Sequence, residues 1–150
     1  MNITSSELQQ GKRVGAQVIA ETETVYVVED DTSLSNAVRR LLRSAQYRVF
    51  TFASAEEFYR SDFRNSPGCL LLDIRLPGIS GFELLTRLLD SGIHLPVIFM
   101  TGQDRAGMEE YAMQLGASAY LRKPVDEENL LAAIRQAMQS ITHNKEISNS

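Results

Sequence analysis

Four places in this sequence put charged or hydroxyl side chains directly after short apolar runs. The acidic triplet Glu29-Asp30-Asp31 follows TVYVV, Asp73 follows CLLL, Thr101 follows PVIFM, and Lys123 follows SAYLR. If the carboxylates meet, two unit charges about 4 Å apart repel by about 4 kcal/mol at an effective dielectric of roughly 20. Such a cluster therefore needs either a proton on one carboxylate or a bound cation.

A cluster made only of oxygen donors favours a hard cation. Mg²⁺ accepts one or two carboxylates together with waters and leaves room for a phosphoryl oxygen. The acids come from separate segments, so the contiguous loop of a calcium-binding EF-hand is missing. We therefore expect Mg²⁺, with Mn²⁺ as a substitute. A carboxylate such as Asp73 can attack phosphorus, while Lys123 neutralises developing charge and the Thr101 hydroxyl donates to a phosphoryl oxygen.

The elements that must position these residues are strands and helices in alternation. The CLLL run has no polar alternation, which is typical of a parallel strand covered on both faces. Ligands of such sheets bind at the carboxyl ends of the strands, where the four places lie. The predicted strands are 24–28, 48–52, 69–72, 96–100 and 118–122.

Apolar residues at helical spacing follow each predicted strand. The first helix has Thr32 or Ser33 as its expected N-cap, and the third has Ser80. The fourth helix, over 104–116, contains Gly107, which costs about 1 kcal/mol against Ala in a helix interior. The fifth helix follows Asp126. Five such units predict an α/β fold with a doubly wound parallel sheet and right-handed crossovers.

Composition limits the classes of function. The 150 residues fit one domain, expected over 24–140, with polar tails at 1–23 and at 141–150, the latter a tail or a truncated linker. A net charge of -4 with scattered cations predicts no direct nucleic-acid binding by this chain. No apolar stretch reaches the length of a bilayer span and the first residues lack a signal peptide, so a cytoplasmic protein is expected.

The segments VVEDD, LLLDIRLPG, MTG and KP, in this order, resemble the receiver domain of two-component response regulators over about residues 24–140. The resemblance implies a flavodoxin-like receiver fold with a five-stranded sheet of order 2-1-3-4-5. It also implies that Asp73 accepts a phosphoryl group from a sensor histidine kinase or a phosphotransfer protein. Such domains are switches rather than enzymes, and they lose the group by slow hydrolysis.

The resemblance further assigns roles around Asp73. Asp30, Asp73 and the backbone carbonyl of Arg75 would hold Mg²⁺. Glu29, where many members carry Asp, would reach the metal through water. Asp31 either faces solvent or caps the first helix.

The remaining roles implied by the resemblance concern the phosphoryl group and the switch. Thr101 and Lys123 would contact the phosphoryl group, Tyr120 would rotate on activation, and the Lys123–Pro124 bond would be cis. We expect Arg75 and Gln103, at the cleft mouth, to tune phosphoryl lifetime.

The glycines of residues 102–116 favour a two-state loop and fourth helix. The face formed by this helix, the fifth strand and the fifth helix would serve output or a phosphorylation-dependent homodimer.

Other functions compete with this interpretation. A haloacid-dehalogenase-type phosphatase also uses a carboxylate nucleophile, Mg²⁺, Thr and Lys, but places its nucleophile first in an Asp-x-Asp on the first strand, where this chain has Glu29. A receiver working without phosphorylation is disfavoured by the intact set of acids with Thr101 and Lys123. The sequence leaves open the kinase, the pathway, and whether the chain is a fragment of a regulator with a helix-turn-helix output or a single-domain regulator.

Overall fold

The computed structural model describes residues 23–149, with side chains described as far as residue 141. The predicted N-terminal tail, apart from Glu23, lies outside these residues. The elements are β1 (Thr24–Val28), α1 (Thr32–Ser44), β2 (Arg48–Phe52), α2 (Ala55–Arg60), a 3-10 turn (Phe63–Asn65), β3 (Gly68–Asp73), α3 (Gly81–Asp90), β4 (Val97–Thr101), α4 (Met108–Gln114), β5 (Ala119–Arg122) and α5 (Glu127–Asn149).

The strands form one parallel sheet of order β2-β1-β3-β4-β5, which confirms the predicted fold. Successive side chains of a strand point to opposite faces, so β1 and β3 supply two cores. Tyr26 and Leu70 pack in the core on the side of α2, α3 and α4, whereas Val27 and Leu71 pack in the core on the side of α1 and α5. Full burial of each such leucine contributes about 1.5–3 kcal/mol.

The strand register aligns the carboxyl ends of the central strands. Val28 lies opposite Leu72, and Asp73 lies opposite Met100. Thr101 lies opposite Arg122 at the ends of β4 and β5. The residues on which the sequence puts chemistry therefore share one edge of the sheet.

The turn after β3 is held by a close backbone approach at Gly81. A Cβ atom on this residue would collide with the Asp73 carbonyl oxygen, and the Gly81 N–H donates to the Ile74 carbonyl at 2.8 Å. Ser80 caps α3 as predicted, in a reciprocal capping box with Glu83. The start of α3 is thus fixed against the end of β3.

Two helix starts differ from the predictions. Asp31, rather than Thr32 or Ser33, caps α1, because its carboxylate accepts from the Leu34 N–H at 3.2 Å. Of the two roles open for Asp31, the structure therefore shows the capping one. The predicted fourth helix is wrong over residues 104–107, because Gly107 adopts φ +87° and α4 begins only at Met108. It is also wrong over residues 115–116, because α4 ends at Gln114.

In the C-terminal part of the domain, one prediction is confirmed and the last helix is longer than predicted. The Lys123–Pro124 peptide bond is cis, as predicted. The backbone of α5 stays helical to Asn149, through most of the segment predicted as a polar tail. Among the helices of residues 23–149, none combines the length and apolar composition that crossing a membrane requires.

Candidate functional site

Three carboxylates from two strand ends converge at the predicted edge. Each of Glu29, Asp30 and Asp73 offers an oxygen, and these oxygens lie within 4.8 Å of one another. Glu29 and Asp73 are buried, and Asp30 is exposed. The Glu29 backbone N–H donates to the Phe52 carbonyl at 3.0 Å, which fixes the loop after β1 beside β2. The cluster is therefore built by the sheet and is open to solvent on the Asp30 side.

Lys123 lies between two of these acids. Its Nζ is 3.0 Å from Asp73 Oδ2 and 2.9 Å from Glu29 Oε1. Its backbone N–H donates to the Thr101 carbonyl at 2.7 Å, which places the start of its side chain at the end of β4. Burial lowers the pKa of the ammonium, but the Glu29 and Asp73 carboxylates outweigh this effect, so the pKa is raised. Lys123 is therefore a fixed positive charge in the cleft.

Glu29 Oε1 is contacted by the Lys123 ammonium and lacks a further donor. Burial raises the pKa of its carboxyl, against the lowering contacts of Lys123 and of the Asp31 N–H, which donates to Oε2 at 3.1 Å. Within the side chains described, the ion pair with Lys123 at 2.9 Å is the contact recorded for Oε1, which is otherwise buried without a hydrogen bond. An oxygen of this kind beside two other carboxylates fits a hard divalent cation.

The side chain of Asp73 is oriented in part by a backbone N–H of the turn that follows β3. The Arg75 N–H donates to Asp73 Oδ1 at 3.2 Å, while Lys123 contacts Oδ2, so both carboxylate oxygens are oriented. The Arg75 side chain is exposed. The role of the Arg75 backbone carbonyl as a Mg²⁺ ligand stays a prediction.

Thr101 and Gln103 lie at the end of β4. Thr101 is 1% exposed, and its hydroxyl accepts from the Gln103 N–H at 3.1 Å. A hydroxyl that accepts one hydrogen bond keeps its own proton as a donor. The Gln103 side chain is exposed, at the outer side of this turn.

Tyr120, the predicted switch residue, is buried one strand away. It is 7% exposed, lies opposite Phe99 in the register, and donates its hydroxyl to Asp104 Oδ1 at 2.5 Å. Burial, followed by the Asp104 carboxylate, raises its pKa to about 12. Asp104 was not among the predicted site residues, because an exposed acid in a loop has no distinguishing sequence pattern.

The chemistry that this arrangement supports is transfer of a phosphoryl group. An oriented carboxylate lies beside a carboxylate pocket suited to a cation, and a lysine ammonium touches it. A buried hydroxyl ends the next strand. The sequence predicted each of these residues, and the structure brings them to one cleft.

Comparisons of the sequence and of the structure with known proteins point to the same family. The family described as response regulator receiver domain matches residues 25–135. Nodulation protein W of Bradyrhizobium diazoefficiens is 40% identical over 126 residues, which are 83% of this chain and 56% of that protein.

Solved structures agree. The response regulator StyR has a TM-score of 0.80 at 38% identity, over 86% of this chain and 65% of that one. Full-length FixJ from B. japonicum has a TM-score of 0.73 at 34% identity, over 79% of this chain and 59% of that one. The chain thus spans only about half to two thirds of the length of these relatives.

Proposed function

Because the chain belongs to the response regulator receiver domain family, we propose that it is a phosphorylation-dependent switch whose phosphoacceptor is Asp73. The observation that carries this proposal is the placement of Asp73 in the carboxylate cluster, with Oδ1 accepting from the Arg75 N–H and Oδ2 from Lys123. A carboxylate oriented from both sides can act as a nucleophile without further rearrangement.

The reaction is a displacement at phosphorus. An Asp73 oxygen forms the new P–O bond while the bond between phosphorus and the donor breaks, and the leaving group takes the electron pair and a proton. For a histidine donor the leaving atom is a ring nitrogen. The product is an aspartyl phosphate, which water cleaves by attacking phosphorus and releasing the carboxylate.

The residues around Asp73 stabilise the charge of this reaction. Lys123 presents its ammonium beside the attacked group, and the Thr101 hydroxyl donates to a phosphoryl oxygen. Glu29, Asp30 and Asp73 would hold Mg²⁺, which when bound neutralises phosphoryl oxygens. Manganese offers similar ligand preferences and would substitute for it.

Slow hydrolysis, rather than repeated turnover, ends the signal. Arg75 and Gln103 stand two residues after Asp73 and Thr101 along the chain, and their side chains are exposed. We infer that they control the access of water to phosphorus and hence the lifetime of the phosphoryl group. The chain is not a multiple-turnover enzyme in this proposal.

Output would use the region near Thr101 and Tyr120. Drawing Thr101 toward the phosphoryl group changes the packing beside Tyr120, and α4 follows through its connecting loop. Tyr111 and Met113 of α4 are large apolar residues that are exposed, and we infer that the surface of α4 serves a homodimer or an output partner. The phosphodonor would be a sensor histidine kinase or a phosphotransfer protein, and the cytoplasmic location stays a prediction.

The test is phosphoryl labelling. The protein is incubated with a small phosphodonor and Mg²⁺, and the labelled residue is mapped. We expect one label per chain, on Asp73, lost in Asp73→Asn and in the presence of a chelator. Glu83→Gln, which removes an acid at the start of α3, is the control and keeps the label.

The alternative outcome selects the phosphatase. Multiple-turnover release of phosphate from varied esters, without a stable label on Asp73, would contradict the proposal. Label on Glu29 or Asp30 would also contradict it.

A further inference from the structure

Asp104 joins the buried ring of Tyr120 to the charged surface of α4. One carboxylate oxygen accepts from the Tyr120 hydroxyl at 2.5 Å, and the other accepts from Arg122 Nε at 2.8 Å. The same guanidinium donates through Nη2 to Glu109 Oε1 at 2.7 Å, in the first turn of α4. A continuous chain of contacts therefore runs from β5 through the loop to the helix.

Within this series of contacts, the hydrogen bond between Tyr120 and Asp104 differs from an ordinary surface ion pair. The Arg122 side chain is 53% exposed, and exposed pairs alone contribute little to stability. Tyr120, in contrast, is 7% exposed and its hydrogen bond to Asp104 is partly buried, and a charged acceptor makes the stronger bond. The Tyr120 and Arg122 donors lower the pKa of Asp104, so at neutral pH its carboxylate is ionised and accepts both bonds.

The strand register connects this chain of contacts to the phosphorylation cleft. Thr101 lies opposite Arg122, and the Lys123 N–H donates to the Thr101 carbonyl. Tyr120 and Arg122 lie two residues apart on β5, so their side chains point to the same face of the sheet. Asp104 follows Thr101 in the loop that leads to α4, so a movement of Thr101 reaches Asp104 through the covalent chain.

We propose that Asp104 is a positioning residue that holds Tyr120 in its buried position, and that Arg122 and Glu109 make this position depend on the position of α4. The ring and the helix then change together, which gives the switch one shared equilibrium instead of two independent ones. The proposal rests on the proposed function for its input at Asp73. The contacts themselves need no phosphoryl group.

The first test measures the tyrosine ring without any phosphodonor. In protein with isotope-labelled tyrosine rings, a paramagnetic cosolute reports how accessible Tyr120 is. We expect Asp104→Ala to raise the cosolute relaxation of Tyr120 severalfold and to leave Tyr26 unchanged. Glu110→Gln, an exposed acid next to Glu109, is the control and has no effect. A Tyr120 signal as protected in Asp104→Ala as in the wild type would overturn the proposal.

A second variant tests the connection to α4. Glu109→Gln removes a charge that Arg122 contacts and that Tyr120 does not, and Glu109 lies on the helix surface. We expect a smaller change in the Tyr120 relaxation, in the same direction as for Asp104→Ala. This variant also serves if Asp104→Ala does not fold. No change would refute the coupling between ring and helix.

A double-mutant cycle separates positioning from a general structural role. With Mg²⁺ present, Asp104→Ala is expected to change the affinity for beryllofluoride about threefold to tenfold, because the equilibrium between the buried and the rotated ring shifts. In a Tyr120→Phe background the same substitution should have no further effect, because the hydroxyl is already gone. Additive changes in affinity for the two substitutions would mean that Asp104 acts elsewhere. Absence of beryllofluoride binding in the wild type would instead contradict the proposed function, while the cosolute measurement still tests the positioning.

Discussion

The two halves of the sheet's carboxyl edge are held in different ways. At β1 and β3, backbone groups approach so closely that Gly81 has no room for a side chain against the Asp73 carbonyl. At β4 and β5, residues 102–107 are all exposed, and the loop is tied down by side-chain contacts of Asp104. The β1 and β3 half, which carries Asp73, is therefore fixed by backbone packing. The β4 and β5 half is held by side-chain contacts that can break and re-form.

The largest expected effect comes from removing Lys123, the cation after β5 that contacts the acids of the rigid half. Lys123→Gln leaves the Glu29 and Asp73 carboxylates without their shared ammonium. Without a divalent ion we expect a loss of about 2–4 kcal/mol in the free energy of unfolding, less than for a fully buried pair because Lys123 is partly exposed. Urea unfolding with a chelator measures this loss, and Mg²⁺ should restore much of it. Equal loss with and without Mg²⁺ would mean that the acids do not share a cation.

The next effect compares a glycine from each half. Gly81→Ala forces a Cβ against the Asp73 carbonyl, and we expect a cost of about 1–3 kcal/mol because backbone must shift. Gly102→Ala is the matched control, since its Cβ would meet only the flexible Lys123 side chain at 3.6 Å. Chemical denaturation of both variants checks the pair. Equal stability would remove the contrast between the halves.

Amide hydrogen exchange sharpens the comparison without mutation. We expect the amides of 68–73 to exchange slowly, because β3 is hydrogen-bonded on both sides. Residues 102–116 should exchange faster and should change on beryllofluoride addition. Unaltered exchange of 102–116 in the bound state would contradict their role as the two-state element.

Phosphoryl lifetime is a smaller, local effect. Arg75→Ala and Gln103→Ala are each expected to change the dephosphorylation rate severalfold, because both side chains flank the path of water. Arg105→Ala, farther along the exposed loop from Thr101, is the control with an unchanged rate. The decay of labelled Asp73 in single turnovers gives these rates. If neither variant altered the decay, control of water access by these side chains would be refuted.

The smallest effect is a pH dependence. The pKa of Asp104 is lowered from its ordinary value of 3.8 by Tyr120 and then Arg122. Its contribution to stability is therefore fully present above the ordinary value and is lost as the pH falls through the lowered one. The difference in unfolding free energy between wild type and Asp104→Ala should stay constant from about pH 7 to 5 and shrink in acid. A difference that persisted at acid pH would point to packing instead.

The sequence predicted much of this fold for a clear physical reason. Unbroken apolar runs such as 69–72 are typical of strands buried on both faces, and strand ends of a parallel sheet share one edge. The convergence of Glu29, Asp30 and Asp73 follows from this rule once the first and third strands are neighbours in the sheet. The sheet order came from the family resemblance.

Other features depended on local geometry that composition does not encode. Asp31, Thr32 and Ser33 are all good N-caps, and only the backbone angles decide that Asp31 acts. Residues 104–107 fit the helical period, but the positive φ of Gly107 delays the helix. The contacts of Asp104 depend on where that helix begins, so they could not be derived before it was known.

The short β5 strand sets a limit on how this domain can be engineered. Tyr120 points to one face, while Lys123, just after the strand ends, reaches Asp73 and is tied to Thr101 through its backbone. Inserting one residue between Tyr120 and Lys123 would turn the side chains after the insertion to the opposite face. Tyr120 and the Lys123 contact to Asp73 would then no longer be placed relative to each other. Circular permutation or peptide insertion should therefore spare this segment even where the neighbouring loop accepts new sequence.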